Sequence, residues 1–131
     1  DKLKRVMPDL KGKTIALWGL AFKPETDDMR EAPSVVMVDL LLKEGANIKV
    51  YDPVAMDEAH RIFGEKVTYA NDKYDAALNA DTLLLLTEWK EFRLPSWDVL
   101  KKTMNQAVII DGRNIYDKKE MAENGFDYYC I

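Results

Sequence analysis

Two cations lie in one loop of the sequence, at a position where α/β folds often bind phosphate groups. Lys23 and Arg30 fall within residues 20–33, a polar and charged stretch with two prolines that follows an apolar run ending in Gly19. Lysine supplies a compact charge and arginine a planar fork of donors. A wide loop with both is suited to a phosphate-bearing ligand, although loop cations are more often simply solvated.

A third cation, Arg113, follows an apolar run and the pair Asp111-Gly112. Glycine allows a ligand to approach the backbone closely, which favours a binding role for the arginine after it. An ordinary turn residue fits the pattern equally well, so the pattern leaves both interpretations open.

Four carboxylates surround Arg30 in the same loop. Glu25, Asp27, Asp28 and Glu31 have the ligand chemistry of a cation site. Loop salt bridges and caps are the simpler explanation for such a cluster, and we predict no metal site.

The remaining chemically capable side chains point to structure. Trp89 and Phe92 could stack on a base, but their spacing favours a place in the core. His60 lies in an amphipathic segment and is predicted to be exposed, without a partner that would make it a base or a metal ligand. Cys130, close to the end of the chain, is predicted to be a structural thiol, because reactive cysteines need an accessible, electropositive setting.

Strands and helices alternate along the chain and must position these residues. Apolar, β-branched runs predict strands at 13–19, 47–51, 67–69, 82–87, 107–110 and 126–131. Helical spacing with caps and glycine stops predicts helices at 34–44, 54–63, 72–78, 96–103 and 117–123. In the first helix, Ser34 is the predicted N-cap and Gly45 the stop.

This alternation predicts an α/β fold of one domain, with a mostly parallel, Rossmann-like sheet between two layers of helices. Ligands of such folds bind at the carboxyl ends of the strands, which here are residues 19–31, 87–93 and 111–116. The first strand is not followed by the G-x-G-x-x-G turn of dinucleotide-binding folds.

Composition excludes several classes of protein. The 131 residues are 47% hydrophobic, which suits a packed domain. Their net charge of −4 argues against nonspecific nucleic-acid binding. No apolar run reaches the roughly 20 residues of a membrane span, and no signal-peptide pattern is present. A single cysteine fits a reducing cytoplasm. The opening residues resemble the end of a helix, so we expect residues 1–11 to finish a linker helix and residues 12–131 to form the domain.

Four segments together resemble the C-terminal domain of the UDP-glucose/GDP-mannose dehydrogenase family. They are G-L-A-F-K-P-E-T-D-D-M-R-E-A-P-S at 19–34, V-Y-D-P at 50–53, L-T-E-W-K-E-F at 86–92 and I-D-G-R-N at 110–114. The later two segments are most similar to the UDP-glucose 6-dehydrogenase branch. GDP-mannose and UDP-N-acetylmannosamine dehydrogenases share the first segment and are less similar in the later ones.

The resemblance implies an NAD-dependent oxidation of the sugar C6 alcohol to a carboxylate, in two hydride transfers and through a cysteine thioester. In this family an N-terminal domain binds NAD, a central region carries the cysteine and forms the homodimer, and the C-terminal domain binds the UDP part of the substrate. By the family pattern, Phe22, Lys23 and Arg113 contact the UDP-sugar, and Arg30 reaches NAD.

The chain lacks the glycine-rich fingerprint and the nucleophilic cysteine motif of the family, and Cys130 does not match that motif. We therefore expect no catalytic residue in it and no dehydrogenase activity from these residues alone. There are two alternatives: a dehydrogenase for another nucleotide sugar, and a nucleotide-binding module without catalysis.

Overall fold

The fold is described from a computed structural model, which covers residues 9–30 and 32–130. Its strands are β1 (Thr14–Trp18), β2 (Asn47–Tyr51), β3 (Thr68–Tyr69), β4 (Thr82–Leu85), β5 (Val108–Asp111) and β6 (Asp127–Cys130). Its α-helices are α1 (Pro33–Lys43), α2 (Met56–Phe63), α3 (Lys73–Ala77), α4 (Trp97–Thr103) and α5 (Lys118–Glu123). Two 3-10 turns, at Gly64–Lys66 and Lys90–Phe92, complete the described elements.

The six strands form one parallel sheet in the order β3-β2-β1-β4-β5-β6. The chain runs outward from β1 to β3, then returns to place β4 on the other side of β1. The reversal leaves a crevice at the carboxyl ends of β1 and β4, which is where open parallel sheets bind ligands. The predicted α/β, Rossmann-like class is confirmed.

Both faces of the sheet are apolar, because helices cover both. Successive residues of a strand point to opposite faces, so Ile15 and Leu17 of β1 pack in one core while Ala16 and Trp18 pack in the other. The first core also contains residues of α1 and α2, and the second contains residues of α3, α4 and α5. Trp18 stacks on Phe92, with ring centroids 4.9 Å apart.

The predicted elements are confirmed with shifts of one to two residues at their ends. One local prediction is wrong: Ser34 is not the N-cap of α1. The cap is Ala32, which forms no side-chain cap hydrogen bond, and Pro33 occupies the first turn, where its missing N–H and fixed φ are tolerated. Ser34 is buried instead, and its hydroxyl donates to the carbonyl of Leu20 at 2.6 Å.

Two predictions fall largely outside the described residues. The linker-helix end expected at 1–11 rests on residues 1–8, and the predicted end of the last strand rests on Ile131. Within residues 9–30 and 32–130, no helix is long and apolar enough to span a bilayer.

Candidate functional site

The loops after β1 and β4 meet at the crevice through Gly19. This residue has φ +92, a backbone conformation that glycine adopts without steric cost. A Cβ atom placed on Gly19 would lie 2.5 Å from Cβ of Thr87 and 2.6 Å from its backbone nitrogen. The hydroxyl of Thr87 in turn donates to the carbonyl of Ala21. The glycine therefore permits a close approach of the two loops that any side chain would prevent.

The buried carboxylate of Asp52, directly after β2, holds three loops together. Its Oδ2 accepts from the backbone N–H groups of Leu20 at 2.8 Å and Ala21 at 3.3 Å, and from the indole of Trp89 at 3.3 Å. Its Oδ1 accepts from the backbone N–H groups of Val54 and Ala55, in the loop after β2, at 2.9 and 2.8 Å. These five donors offset the cost of burying a carboxylate.

Asp111, the last residue of β5, likewise accepts hydrogen bonds from the loop that carries Arg113. Its oxygens accept from the backbone N–H groups of Arg113, Ile115 and Tyr116 at 2.8–3.0 Å, and from the hydroxyl of Tyr128 at 2.7 Å. Burial, and the neighbouring Asp111 charge, raise the pKa of the Tyr128 phenol above its usual value, so that hydroxyl remains a proton donor. The hydroxyl of Tyr116 donates to the carbonyl of Phe92, which joins this loop to the one after β4.

Arg113 forms a two-pronged ion pair with Glu88, which comes from the loop after β4. Its Nε donates to Oε2 at 2.6 Å and its Nη2 to Oε1 at 3.2 Å. The hydrogen bond from Arg113 lowers the pKa of Glu88, and Glu88 raises that of Arg113, so both groups stay charged over the physiological range. The side chains of Arg113 and Glu88 are 32% and 24% exposed, so the pair is partly accessible to solvent.

A cavity of about 330 Å³ opens between the loops after β1 and β4. It is lined by Pro24, Glu25, Glu88, Trp89, Lys90, Glu91 and Arg93. Lys23 directly precedes the first of these residues, and its ammonium lies 5.5 Å from the ring centroid of Phe22. Phe22 is 39% exposed, unusual for so large an apolar ring. The structure thus places Phe22 and Lys23 on one side of the loop after β4 and Arg113 on the other.

Arg30 lies apart from that cavity and is held by its own loop. Its backbone N–H and Nε donate to Oδ1 of Asp28, both at 3.0 Å, and its Nη2 donates to Oδ2 at 2.9 Å. These bonds lower the pKa of Asp28 to about 2. The Arg30 side chain is 89% exposed and borders a different cavity, of about 300 Å³, whose other walls include Glu58 and Arg61 of α2.

The turn after β1 does not suit a dinucleotide pyrophosphate. In dinucleotide-binding folds the amides of this turn, with a helix that starts immediately after it, hold the phosphates. Here the amides of Leu20 and Ala21 donate to Asp52, and α1 does not begin until Pro33. Any dinucleotide that this chain touches would therefore be held mainly by residues outside this turn.

The other candidates take structural positions. Phe92 is fully buried and Trp89 nearly so, as predicted for core residues. His60 is exposed as predicted, and its ring stacks on Tyr69 with centroids 3.5 Å apart. Cys130 is half-buried in β6. No cluster of three or more His, Cys, Asp or Glu side chains in the described range is placed to hold a metal ion, and Asp28 of the acidic loop is paired with Arg30.

Sequence reasoning did not single out Glu88, although it lies inside the T-E-W segment. The available signal was its place: it follows a fully buried apolar strand, at the edge of the sheet where ligands bind. Glu88 directly follows the predicted strand 82–87, a position comparable with that of Arg113 after the predicted strand 107–110.

The strand order and the crevice beside β1 are those of a Rossmann-like domain of the nucleotide-binding type. Within that class, the chain belongs to the UDP-glucose/GDP-mannose dehydrogenase family: residues 16–118 match the family's UDP binding domain.

Relatives and solved structures agree with this assignment. The chain is 44% identical over its whole length to the UDP-glucose 6-dehydrogenase TuaD of Bacillus subtilis, of which it spans 28%. A UDP-glucose dehydrogenase structure from Pyrobaculum islandicum matches 98% of the chain with a TM-score of 0.81 and 30% identity, over 27% of that protein. An NDP-N-acetyl-D-galactosaminuronic acid dehydrogenase from Methanosarcina mazei matches 98% of the chain with a TM-score of 0.82 and 32% identity, over 26% of its length. The chain therefore spans under a third of these relatives.

Proposed function

We propose that this chain is the substrate-binding domain of an NAD-dependent UDP-glucose 6-dehydrogenase, which oxidises UDP-glucose to UDP-glucuronate in two hydride transfers. Phe22, Lys23 and Arg113 contact the UDP-sugar, and Arg30 contacts the cofactor. The cysteine of the thioester intermediate, the main NAD site and the homodimer contacts belong to other parts of the enzyme, which works in the cytoplasm.

One observation carries the proposal: in a UDP binding domain, Phe22 and Lys23 are exposed directly before Pro24 and Glu25, which share a cavity with Glu88, the ion-pair partner of Arg113. The phosphate groups of a diphosphate attract cations, and an aromatic ring gives a sugar or a base a flat surface to pack on. Lys23 and Arg113 offer two such cations from the ends of two strands of one sheet, on either side of the loop after β4.

The division between substrate and cofactor is supported by the position of Arg30. It borders a different cavity from the one that Glu88 lines. NAD would accept the hydride when bound, and the turn after β1 is unsuited to its pyrophosphate. What this chain offers the cofactor is one accessible guanidinium, oriented by Asp28.

A substitution of Lys23 tests the substrate role. In the full-length enzyme, Lys23→Ala should raise KM for the nucleotide sugar more than about tenfold, because a charge-assisted contact to phosphate is lost. Lys66→Ala, which removes an exposed lysine of a distant 3-10 turn, is the matched control. Equal substrate kinetics in the two variants would leave Lys23 as a solvated side chain.

The two arginines test the division of roles. Arg30→Ala should weaken NAD more than the nucleotide sugar, and Arg113→Ala should do the reverse. Replacement by lysine should rescue either variant only partly, since a point charge cannot reproduce a planar fork. Titrating each ligand separately decides the matter, and an equal loss for both ligands in both variants would contradict the assignment.

The sugar is tested on a panel of UDP- and GDP-sugars. UDP-glucose should be the best substrate of the full-length enzyme. The similarity to the Methanosarcina mazei protein favours an N-acetylated nucleotide sugar as the second candidate. Residues 1–131 alone should form no NADH from UDP-glucose and NAD. If the full-length protein also oxidises none of the sugars, a binding module without catalysis is the better description.

A further inference from the structure

We propose that Glu88 is a positioning residue for Arg113: it holds the guanidinium at the carboxyl edge of the sheet so that the remaining N–H groups face the anionic part of the nucleotide sugar. This inference rests on the proposed substrate role of Arg113. It assigns a function to the charged residue of the T-E-W segment, which the proposed function alone leaves without one.

The geometry of the pair leaves Arg113 able to bind a ligand. A guanidinium has five N–H donors, and Glu88 engages one on Nε and one on Nη2. The two donors of Nη1 and the second donor of Nη2 are not used by Glu88. A carboxylate bound along the Nε–Nη2 edge therefore fixes the plane of the group while the Nη1 edge can still bind a phosphate.

Both ends of the pair are themselves held in place. On one side of Glu88, the hydroxyl of Thr87 donates to the carbonyl of Ala21, and on the other side the indole of Trp89 donates to Asp52. The backbone N–H of Arg113 donates to Asp111 at 2.9 Å. A pair fixed at both backbones restricts the rotamers of a long side chain, so less entropy is lost when the ligand binds.

The surroundings of Glu88 carry charges of both signs. The charge of Arg93 contributes to lowering the pKa of Glu88, after the larger effect of the Arg113 hydrogen bond. Lys90 and Arg93 line the same cavity as Glu25, Glu88 and Glu91. An incoming diphosphate must therefore be bound by particular cations such as Arg113, because the cavity as a whole offers no net positive surface.

The test is a double-mutant cycle in the full-length enzyme, with KM for the nucleotide sugar and kcat as separate readouts. Arg113→Ala should raise KM more than tenfold. Glu88→Gln should raise it about three- to tenfold with kcat within twofold, because one prong of the pair is lost and Arg113 samples more rotamers. Glu88→Gln should add nothing in the Arg113→Ala background. Glu65→Gln, which also removes one exposed negative charge, should leave both constants unchanged.

The variants distinguish this inference from the function on which it rests. An unchanged KM in Arg113→Ala would overturn the substrate role of Arg113 and with it the role of Glu88. A raised KM in Arg113→Ala beside an unchanged KM in Glu88→Gln would overturn the positioning role alone. A lower KM in Glu88→Gln would also overturn it, since Glu88 would then compete with the ligand. Melting temperatures of all variants identify any change that comes from unfolding.

Discussion

The loop after β1 and the loop after β5 carry the candidate binding residues, and their cations are held in different ways. The second loop is short: Asp111 bonds the backbone of Arg113, Ile115 and Tyr116, and the hydroxyl of Tyr116 donates to the carbonyl of Phe92, 24 positions away. Its arginine is paired with a residue 25 positions away in the chain. The side chain of Arg113 is thus placed by the tertiary structure.

The loop after β1 is bonded at its base and packs Met29 into the core, while its polar side chains bond mainly within the loop. Asp52 binds the amides of Leu20 and Ala21, and Ser34 binds the carbonyl of Leu20. Its polar contacts beyond the base are local: Arg30 pairs with Asp28, two residues away, and Phe22 N–H donates to the carbonyl of Asp28 at 3.1 Å. The side chain of Arg30 is thus placed by its own loop.

The largest effect should come from removing the buried anchors. Asp111→Ala or Asp52→Ala leaves several amides without their acceptor and should lower the free energy of unfolding by about 3–6 kcal/mol. Asp27→Ala, an exposed residue of the loop after β1, should change it by less than about 0.5 kcal/mol. Urea denaturation measures all three. If Asp52→Ala were as mild as Asp27→Ala, the base of the first loop would not depend on its carboxylate.

The meeting of the loops at the crevice is tested by Gly19→Ala. The added Cβ would collide with Thr87 and would also require φ +92, so we expect a loss of about 2–5 kcal/mol. Gly12→Ala is the matched control: its φ is +77, but among the described residues no atom outside its two chain neighbours lies within 4 Å of the added Cβ. The control should lose only about 1–2 kcal/mol. Equal losses would mean that the two loops can separate at little cost.

A smaller effect is expected from Ser34→Ala, which removes the hydroxyl bonded to the Leu20 carbonyl. A lost buried hydrogen bond should cost about 1–2 kcal/mol. Amide hydrogen exchange should increase near Leu20 and Ala21 rather than only in the first turn of α1. An increase confined to that first turn would restore Ser34 as a helix cap.

The smallest expected effects are changes in the pKa values of Glu88 and Asp28, the carboxylates of the two arginine ion pairs. Glu88 has its pKa lowered below 4.5 by Arg113, so the pair contributes stability above that pH and loses it as the pH falls through the lower, folded-state value. Arg113→Ala should raise the pKa of Glu88, because burial still disfavours the charged carboxylate. In Arg30→Ala, the pKa of Asp28 should rise from about 2 toward 3.8, with no measurable change in melting temperature. Carboxyl carbon chemical shifts followed by NMR report both values, and an unmoved Glu88 pKa in Arg113→Ala would contradict the pairing.

The course of the chain follows from local sequence. Apolar runs such as 82–87 predict strands covered on both faces, and glycines such as Gly45 and Gly64 end helices where a positive φ is needed. Their strict alternation predicts the parallel sheet. The family resemblance is likewise a property of the sequence, since its motifs stand in the expected order.

Which side chains meet was decided by the tertiary structure. Nothing within a few residues of Asp52 indicates that it accepts hydrogen bonds from Leu20, Ala21 and Trp89, because these donors reach it only once β1, β2 and β4 lie side by side. Ser34 shows the same limit: its type and place fit a helix cap, but the nearness of the Leu20 carbonyl gives its hydroxyl a buried partner. Local patterns determine where elements begin and end because they depend on backbone preferences over a few residues. The pairing of Glu88 with Arg113 depends on the order of strands in the sheet, which brings together residues that are distant in the chain.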